Sequence, residues 1–240
     1  MKSITGFTVL ILTISILSIG GCSSGGGGGN NEGCPDTNMS ITVCDPEFGV
    51  FSLTIDNGFF PLVVGDELVL EGEDDEGTFI EIEISVLDET EVVAGVTTRV
   101  VEEAEFEDGE VVEISRNFYA QAEDGTVCYF GEDVDDFEDG VVVSHEGTWR
   151  AGENGNLPGI IMPGDPEEGM VFSQEFAPGI AEDQSEILFF GETIEVPAGT
   201  FSDTLTTLDC NSLAKDSMDE KVYIRGIGLA IDEDAELVSF

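Results

Sequence analysis

Between Thr78 and Val86 polar and apolar residues alternate, so an extended chain puts Ile80, Ile82, Ile84 and Val86 on one face and Glu81, Glu83 and Ser85 on the other. A period of two with a single apolar face is the pattern of a half-buried strand. Three Asp-Gly pairs follow, Asp108-Gly109, Asp124-Gly125 and Asp139-Gly140, each between β-rich runs. Asp-Gly supplies the positive φ angles of tight hairpin turns. Their spacings of 16 and 15 residues predict two strands of about six or seven residues in each interval. Further strands are expected at Met170–Phe176, Glu186–Phe190, Thr204–Cys210, Val222–Arg225 and Glu236–Phe240. Beyond the amino-terminal apolar run, no stretch keeps a 3.6-residue apolar period over three turns. The predicted fold is all-β: an antiparallel meander forming a strongly curved sheet or partly open barrel of about ten strands, curled to hide its edges.

The amino terminus carries a different signal. Lys2 precedes an apolar run from Phe7 to Ile19, and Ile19-Gly20-Gly21-Cys22 follows. A charged start, a short apolar stretch and small residues at a cleavage point describe a secretory signal, and the run is short for a membrane span. The arrangement resembles a bacterial lipobox, which implies cleavage before Cys22 and a diacylglycerol thioether on its sulfur. Ser23-Ser24 and the glycines from Gly25 to Gly29 then read as a flexible tether. The expected organisation is a lipoprotein signal peptide (1–21), a Gly-rich tether (22–33), a short cysteine-containing lead-in (34–50) and an all-β domain (51–240). The expected location is the bacterial cell envelope, anchored in a membrane by lipid and facing periplasm or exterior.

Setting Cys22 aside leaves Cys34, Cys44, Cys128 and Cys210. An even remainder in an exported chain predicts disulfides, and four cysteines allow three pairings. The favoured expectation is Cys34 with Cys44, closing a short loop, and Cys128 with Cys210, joining distant strands. No CxxC or CxxH spacing occurs, so no metal site and no cofactor are expected.

The chain has 52 acidic and 7 basic residues, a formal charge of −45. Nucleic acid is excluded as an expected partner, because phosphate binding needs clustered Lys and Arg. Attraction to anionic lipid by charge is disfavoured for the same reason. Clusters such as Glu71–Glu76, Asp133–Asp136 and Asp232–Asp234 are expected at turns and on solvent faces, as in salt-adapted surfaces. The run from Asp133 fails the calcium-loop pattern, since Phe137 stands where a ligand is required. His145 is the only histidine, and no Gly-x-Ser-x-Gly elbow accompanies Ser144 beside it. No catalytic residue is therefore expected. One Trp and 3 Tyr leave little aromatic platform for sugar stacking.

The segment from Gly147 to Pro166 is rich in Gly and Pro and long for a connection. It holds Trp149, Arg150 and the triplet Ile160-Ile161-Met162, which form the candidate ligand loop. The structural alternative is that the triplet plugs an open end of the sheet as core. Arg99, Arg116 and Arg150 are expected to pair with local carboxylates.

Several motifs occur in a fixed order: Phe59-Phe60-Pro61-Leu62-Val63-Val64-Gly65, Gly95-Val96-Thr97-Thr98-Arg99, Phe118-Tyr119-Ala120-Gln121 with Asp124-Gly125, and Tyr129-Phe130-Gly131-Glu132. Pro158-Gly159-Ile160-Ile161-Met162-Pro163, Val196-Pro197-Ala198-Gly199-Thr200-Phe201 and Gly226-Ile227-Gly228-Leu229 complete the series. Together they resemble a recurrent family of bacterial secreted proteins and lipoproteins that brings no established activity. The last two motifs are also similar to those of half-open β-sheet envelope proteins that hold apolar molecules. The expected function is a noncatalytic binding or structural module, with a protein or an apolar small molecule as partner. A carrier of an apolar ligand and a carboxylate-based hydrolase are the alternatives.

Overall fold

In the computed structural model, which describes residues 34–214 and 218–240, extended chain dominates because alternation and tight turns recur in the order a meander needs. A 3-10 turn at Ile41–Cys44 is the one helical element among the described residues. The strands are β1 (Phe51–Ser52), β2 (Ile55–Asp56), β3 (Pro61–Leu62), β4 (Glu67–Glu73), β5 (Phe79–Val93), β6 (Val96–Glu107), β7 (Glu110–Ala122) and β8 (Val127–Glu138). Next come β9 (Val141–Ser144), β10 (Trp149–Arg150), β11 (Gly159–Met162), β12 (Val171–Ser173), β13 (Asp183–Phe190), β14 (Ile194–Val196) and β15 (Gly199–Phe201). β16 (Thr204–Asn211), β17 (Met218–Ile224), β18 (Gly228–Asp232) and β19 (Ala235–Ser239) complete the chain. One sheet runs β10-β8-β7-β6-β5-β4-β19-β18-β17-β16-β13-β12, with β1 paired to β7 and both β9 and β11 paired to β8. Its neighbours are antiparallel, so the expected meander is the fold.

Each interval between Asp-Gly pairs holds one long strand, β7 or β8, and not the two short ones expected. Neither Gly nor Pro interrupts Glu110–Ala122, so nothing breaks the extended chain there. Asp108 and Gly109 both take positive φ (51° and 81°), as do Asp139 and Gly140 (53° and 72°). At the middle pair only Gly125 does (89°), and the Asp124 carboxylate instead accepts the Thr126 N–H at 3.0 Å. Ala94-Gly95 makes a further two-residue turn that no Asp-Gly pair announces, with φ of 50° and 83°.

The sheet curls until its ends approach. β11 lies on β8 and β12 on β13, and a bridge between Leu157 and Phe176 joins the two sides without a full ladder. A Cβ on Gly159 would stand 1.9 Å from the Gln174 carbonyl, so only glycine permits this approach. Outside the curl, Phe130 packs edge-on to Phe51 (5.4 Å between centroids), and Phe118 lies under the Arg150 guanidinium (4.6 Å).

The expected cysteine pairing is wrong. Cys34 bonds Cys210 and Cys44 bonds Cys128, with Cα separations of 5.7 and 5.6 Å. The lead-in does not loop back on itself but runs across the sheet, reaching β16 with one cysteine and β8 with the other. It is held there by its main chain as well, since Asn38 and Met39 donate N–H bonds to the Val171 carbonyl at 2.9 and 3.0 Å. The signal, Cys22 and the tether lie outside the described residues. Among the described residues no helix is long and apolar enough to cross a membrane.

Candidate functional site

The inner face of the curl lines a half-open cavity of about 360 Å³, within the range of roughly 300–1,000 Å³ typical of small-molecule sites. Alternation places its walls. On β7 the inward residues are Glu113, Ser115, Asn117 and Tyr119, and on β17 they are Asp219, Lys221 and Tyr223, so each strand runs from carboxylate to tyrosine. β6 adds Val101 and Glu103, with Glu103 opposite Ser115 and Glu105 opposite Glu113. The aromatic ends converge: Phe60 meets Tyr119 at 5.3 Å and Tyr223 at 6.4 Å, and Tyr119 stacks on Tyr129 at 4.8 Å. All three tyrosines of the chain therefore line one cavity.

Two bulges add to the inner face. In β8 the residues Phe130 and Gly131 together oppose Phe118, which turns both Tyr129 and Glu132 inward although they are three residues apart. Gly131 has φ 129°, and a Cβ there would lie 2.3 Å from the Trp149 carbonyl oxygen. In β18 the extra residue is Ala230, which turns both Leu229 and Asp232 inward.

The acidic half is desolvated and short of cations. Burial pushes Glu103 up to about 8, and Glu105 pushes it the same way, against the opposing pull of Lys221. Glu113 rises to about 7 through burial and the neighbouring Glu105, Glu132 and Asp136. Glu105 and Asp209 are raised mainly by burial. Lys221 is pulled the other way: burial opposes its charge, but Asp232 at 2.9 Å and the nearby Tyr223 and Asp209 hold it protonated. A second acidic group stands where the sheet ends approach. Burial raises Glu132 to about 7 and lifts Glu175 well above the usual carboxylate range, with Asp183 hydrogen-bonded to Glu175. The Trp149 indole N–H donates to Glu175 at 3.4 Å.

The candidate ligand loop separates into distinct roles. Ile161 lines the cavity, while Ile160 and Met162 are fully buried core. Trp149 is buried behind the cavity wall, packed edge-on to Tyr129 (5.4 Å) and hydrogen-bonded to Glu175. Arg150 pairs outside with Asp133 and Glu91, and Arg116 pairs with Glu89. Arg99 instead donates to the Leu87 and Glu89 main-chain carbonyls, each at 3.2 Å. His145 sits on the exposed side, 2.7 Å from Asp135. Of the four disulfide cysteines, Cys210 lines the cavity.

The expectation that acidity sits at turns and on solvent faces needs correcting. Glu233 and Asp234 are exposed in the β18–β19 turn as expected, but Asp232 of the same cluster faces the cavity, together with Glu103, Glu113, Glu132, Glu175, Asp183, Asp209 and Asp219. A strand residue with this alternation faces inward or outward depending only on which side the sheet curls toward. Among the described residues no group of His, Cys, Asp or Glu is placed to hold a metal ion. The arrangement can hold protons, accept hydrogen bonds and pair with a positive group.

No family model and no curated protein matches the chain, so the motif resemblance gains no support from either comparison. Among solved structures, a candidate lipoprotein from Parabacteroides distasonis aligns over 76% of this chain and 98% of its own, at 14% identity and a TM-score of 0.36. A likeness at that score carries no assignment of fold or function.

Proposed function

We propose that the protein is a noncatalytic envelope lipoprotein, tethered through Cys22, that binds a small molecule inside its curved sheet. The observation that carries this reading is the cavity of about 360 Å³ with tyrosines on one side and desolvated carboxylates on the other. A merely structural sheet would fill such a space with side chains, because empty or poorly paired interior costs stability. The test is native mass spectrometry of the full chain released from mild detergent. A copurified adduct of small-molecule size is expected, and a bare mass from several preparations would count against binding. Anchoring has a separate test: Cys22→Ser is expected to lose its partition into detergent, and unchanged partition would remove the lipid anchor.

A carboxylate-based hydrolase is the second reading, favoured by Glu132 and Glu175. A carboxyl that keeps its proton beside one that ionises more readily is an acid–base pair of the kind used in glycoside hydrolysis. Turnover of any chromogenic glycoside in a broad panel, abolished by both Glu132→Gln and Glu175→Gln, would replace binding with catalysis.

A further inference from the structure

We infer that the cavity takes a small organic cation, with its ammonium beside Glu103 and Glu113 and its apolar part against Phe60, Tyr119 and Tyr223. This rests on the binding reading and names the ligand's chemistry. The first support is the charge inventory. Lys221 is the sole cation among the lining residues described, and Asp232 at 2.9 Å already pairs with it. Glu103, Glu113, Asp209 and Asp219 line the same space, and Glu105 stands opposite Glu113. Like charges directly opposite across a ladder repel.

The second support concerns Glu105, Glu113 and Asp209. The shifts of Glu105 and Glu113 arise from burial and neighbouring charge, with no hydrogen bond among their causes. Asp209 accepts from Gln174 through one oxygen at 3.2 Å and lies beside the Ser185 hydroxyl, while its other oxygen, like that hydroxyl, is buried with no well-formed hydrogen bond among the described residues. A buried acceptor left unpaired costs free energy that a donor entering the cavity would recover.

The third support is the aromatic wall. Faces of Tyr and Phe attract cations, and a desolvated site strengthens that attraction. Other occupants fit worse. An apolar molecule would leave the carboxyls dry and unpaired. An anion would meet repulsion from nearly every polar wall. A metal ion has no ligand group among the described residues and would leave the aromatic half unused.

The test uses three molecules of nearly equal shape: 2-phenylethylammonium, 2-phenylethanol and 3-phenylpropanoate. Each is titrated calorimetrically into the full chain in nonionic detergent, with micelle-only titrations subtracted. The ammonium is expected to bind at least about tenfold more tightly than the alcohol, as charge-assisted pairing implies, and the carboxylate not at all. Its affinity is expected to rise between pH 6 and pH 8.5 while the alcohol's stays flat. Glu103, which titrates in that window, faces Glu105 on its own strand, Glu113 and Tyr119 on β7, Lys221 and Tyr223 on β17, and Asp232 on β18. Glu103→Gln is expected to lower ammonium affinity about tenfold and leave the alcohol unchanged. This variant removes a carboxyl from a repulsive group, so it folds at least as well as the parent. Equal binding of alcohol and ammonium, or an unaffected Glu103→Gln, would overturn the cation and leave binding standing. No binding by any probe, in a protein that still copurifies with an adduct, would also overturn the cation alone. No binding and no adduct would overturn both.

Discussion

Glu103 is held where the folded chain binds its proton more tightly than the unfolded chain does. With the folded value pushed up to about 8 from an ordinary 4.5, the native state carries the extra proton between those limits. Stability is then fully present below about pH 4.5 and falls as the pH rises toward about 8. Glu113, raised to about 7, adds a decline of the same sign. Thermal melts between pH 5 and pH 8.5 are expected to show a falling Tm, and Glu103→Gln is expected to flatten that slope. At pH 8 the substitution should raise Tm by about 3–6 °C, the change that roughly 1–2 kcal/mol produces in a domain of this size. A Tm that climbs with pH would contradict the assignment. Gly131 makes the opposite kind of prediction. Its φ is 129°, and a Cβ at this position would stand 2.3 Å from the Trp149 carbonyl oxygen, so Gly131→Ala should cost about 1–3 kcal/mol. The near-UV signal of the adjacent Trp149 should change with it, and an unaltered melt and spectrum would show that the bulge accepts a side chain. At this scale the sequence was only half legible. The alternation of Glu103, Glu105 and Glu107 with apolar neighbours reads identically whether the acidic face meets solvent or a cavity. The bulges that bring Tyr129 beside Glu132 leave one glycine as their trace in β8 and none in β18.

Among the elements, the hairpins were the most legible, because Asp-Gly imposes its geometry locally and needs no tertiary information. Strand length is not legible for the complementary reason: the typical five or six residues describe flat, short sheets, whereas a sheet curling around a cavity uses strands such as β5 with 15 residues. Disulfide pairing was not legible at all. Cys34 and Cys44 are near in sequence, but the lead-in lies extended over β16 and β8, and that path is set by contacts such as Asn38 with Gly169 and Val171. The two bonds span 176 and 84 residues. Loops of this size restrict the unfolded chain strongly, so replacing Cys44 and Cys128 together with Ser should cost about 2–5 kcal/mol. Peptide mapping of the unreduced protein is expected to recover Cys34 with Cys210 and Cys44 with Cys128. Recovery of a Cys34–Cys44 peptide would restore the pairing expected from spacing.

For the molecule as a whole, a charge of −45 means that every added salt ion lowers a self-repulsion distributed over the surface. Raising ionic strength from 0.1 to 1 M shrinks the range of such forces from about 10 Å to about 3 Å, so the melting temperature should rise with salt at every pH. The approach of the two sheet ends obeys a different rule. There Glu132, Glu175 and Asp183 gather beside the Trp149 indole, largely out of solvent, and the protons that Glu132 and Glu175 retain allow the group to stand together. Burial raises Glu132 to about 7, so this contact is complete below about pH 4.5 and weakens as the pH rises through about 7. Salt cannot reach these groups well enough to replace the lost protons. Hydrogen exchange, corrected for its intrinsic pH dependence, should therefore show β11 and β12 opening faster at pH 8 than at pH 5, while the β5–β6 ladder changes little. The difference should persist at 1 M salt even though the global melt has risen. Disappearance of the local opening at high salt would assign it to surface repulsion and not to the carboxyls that join the ends of the sheet.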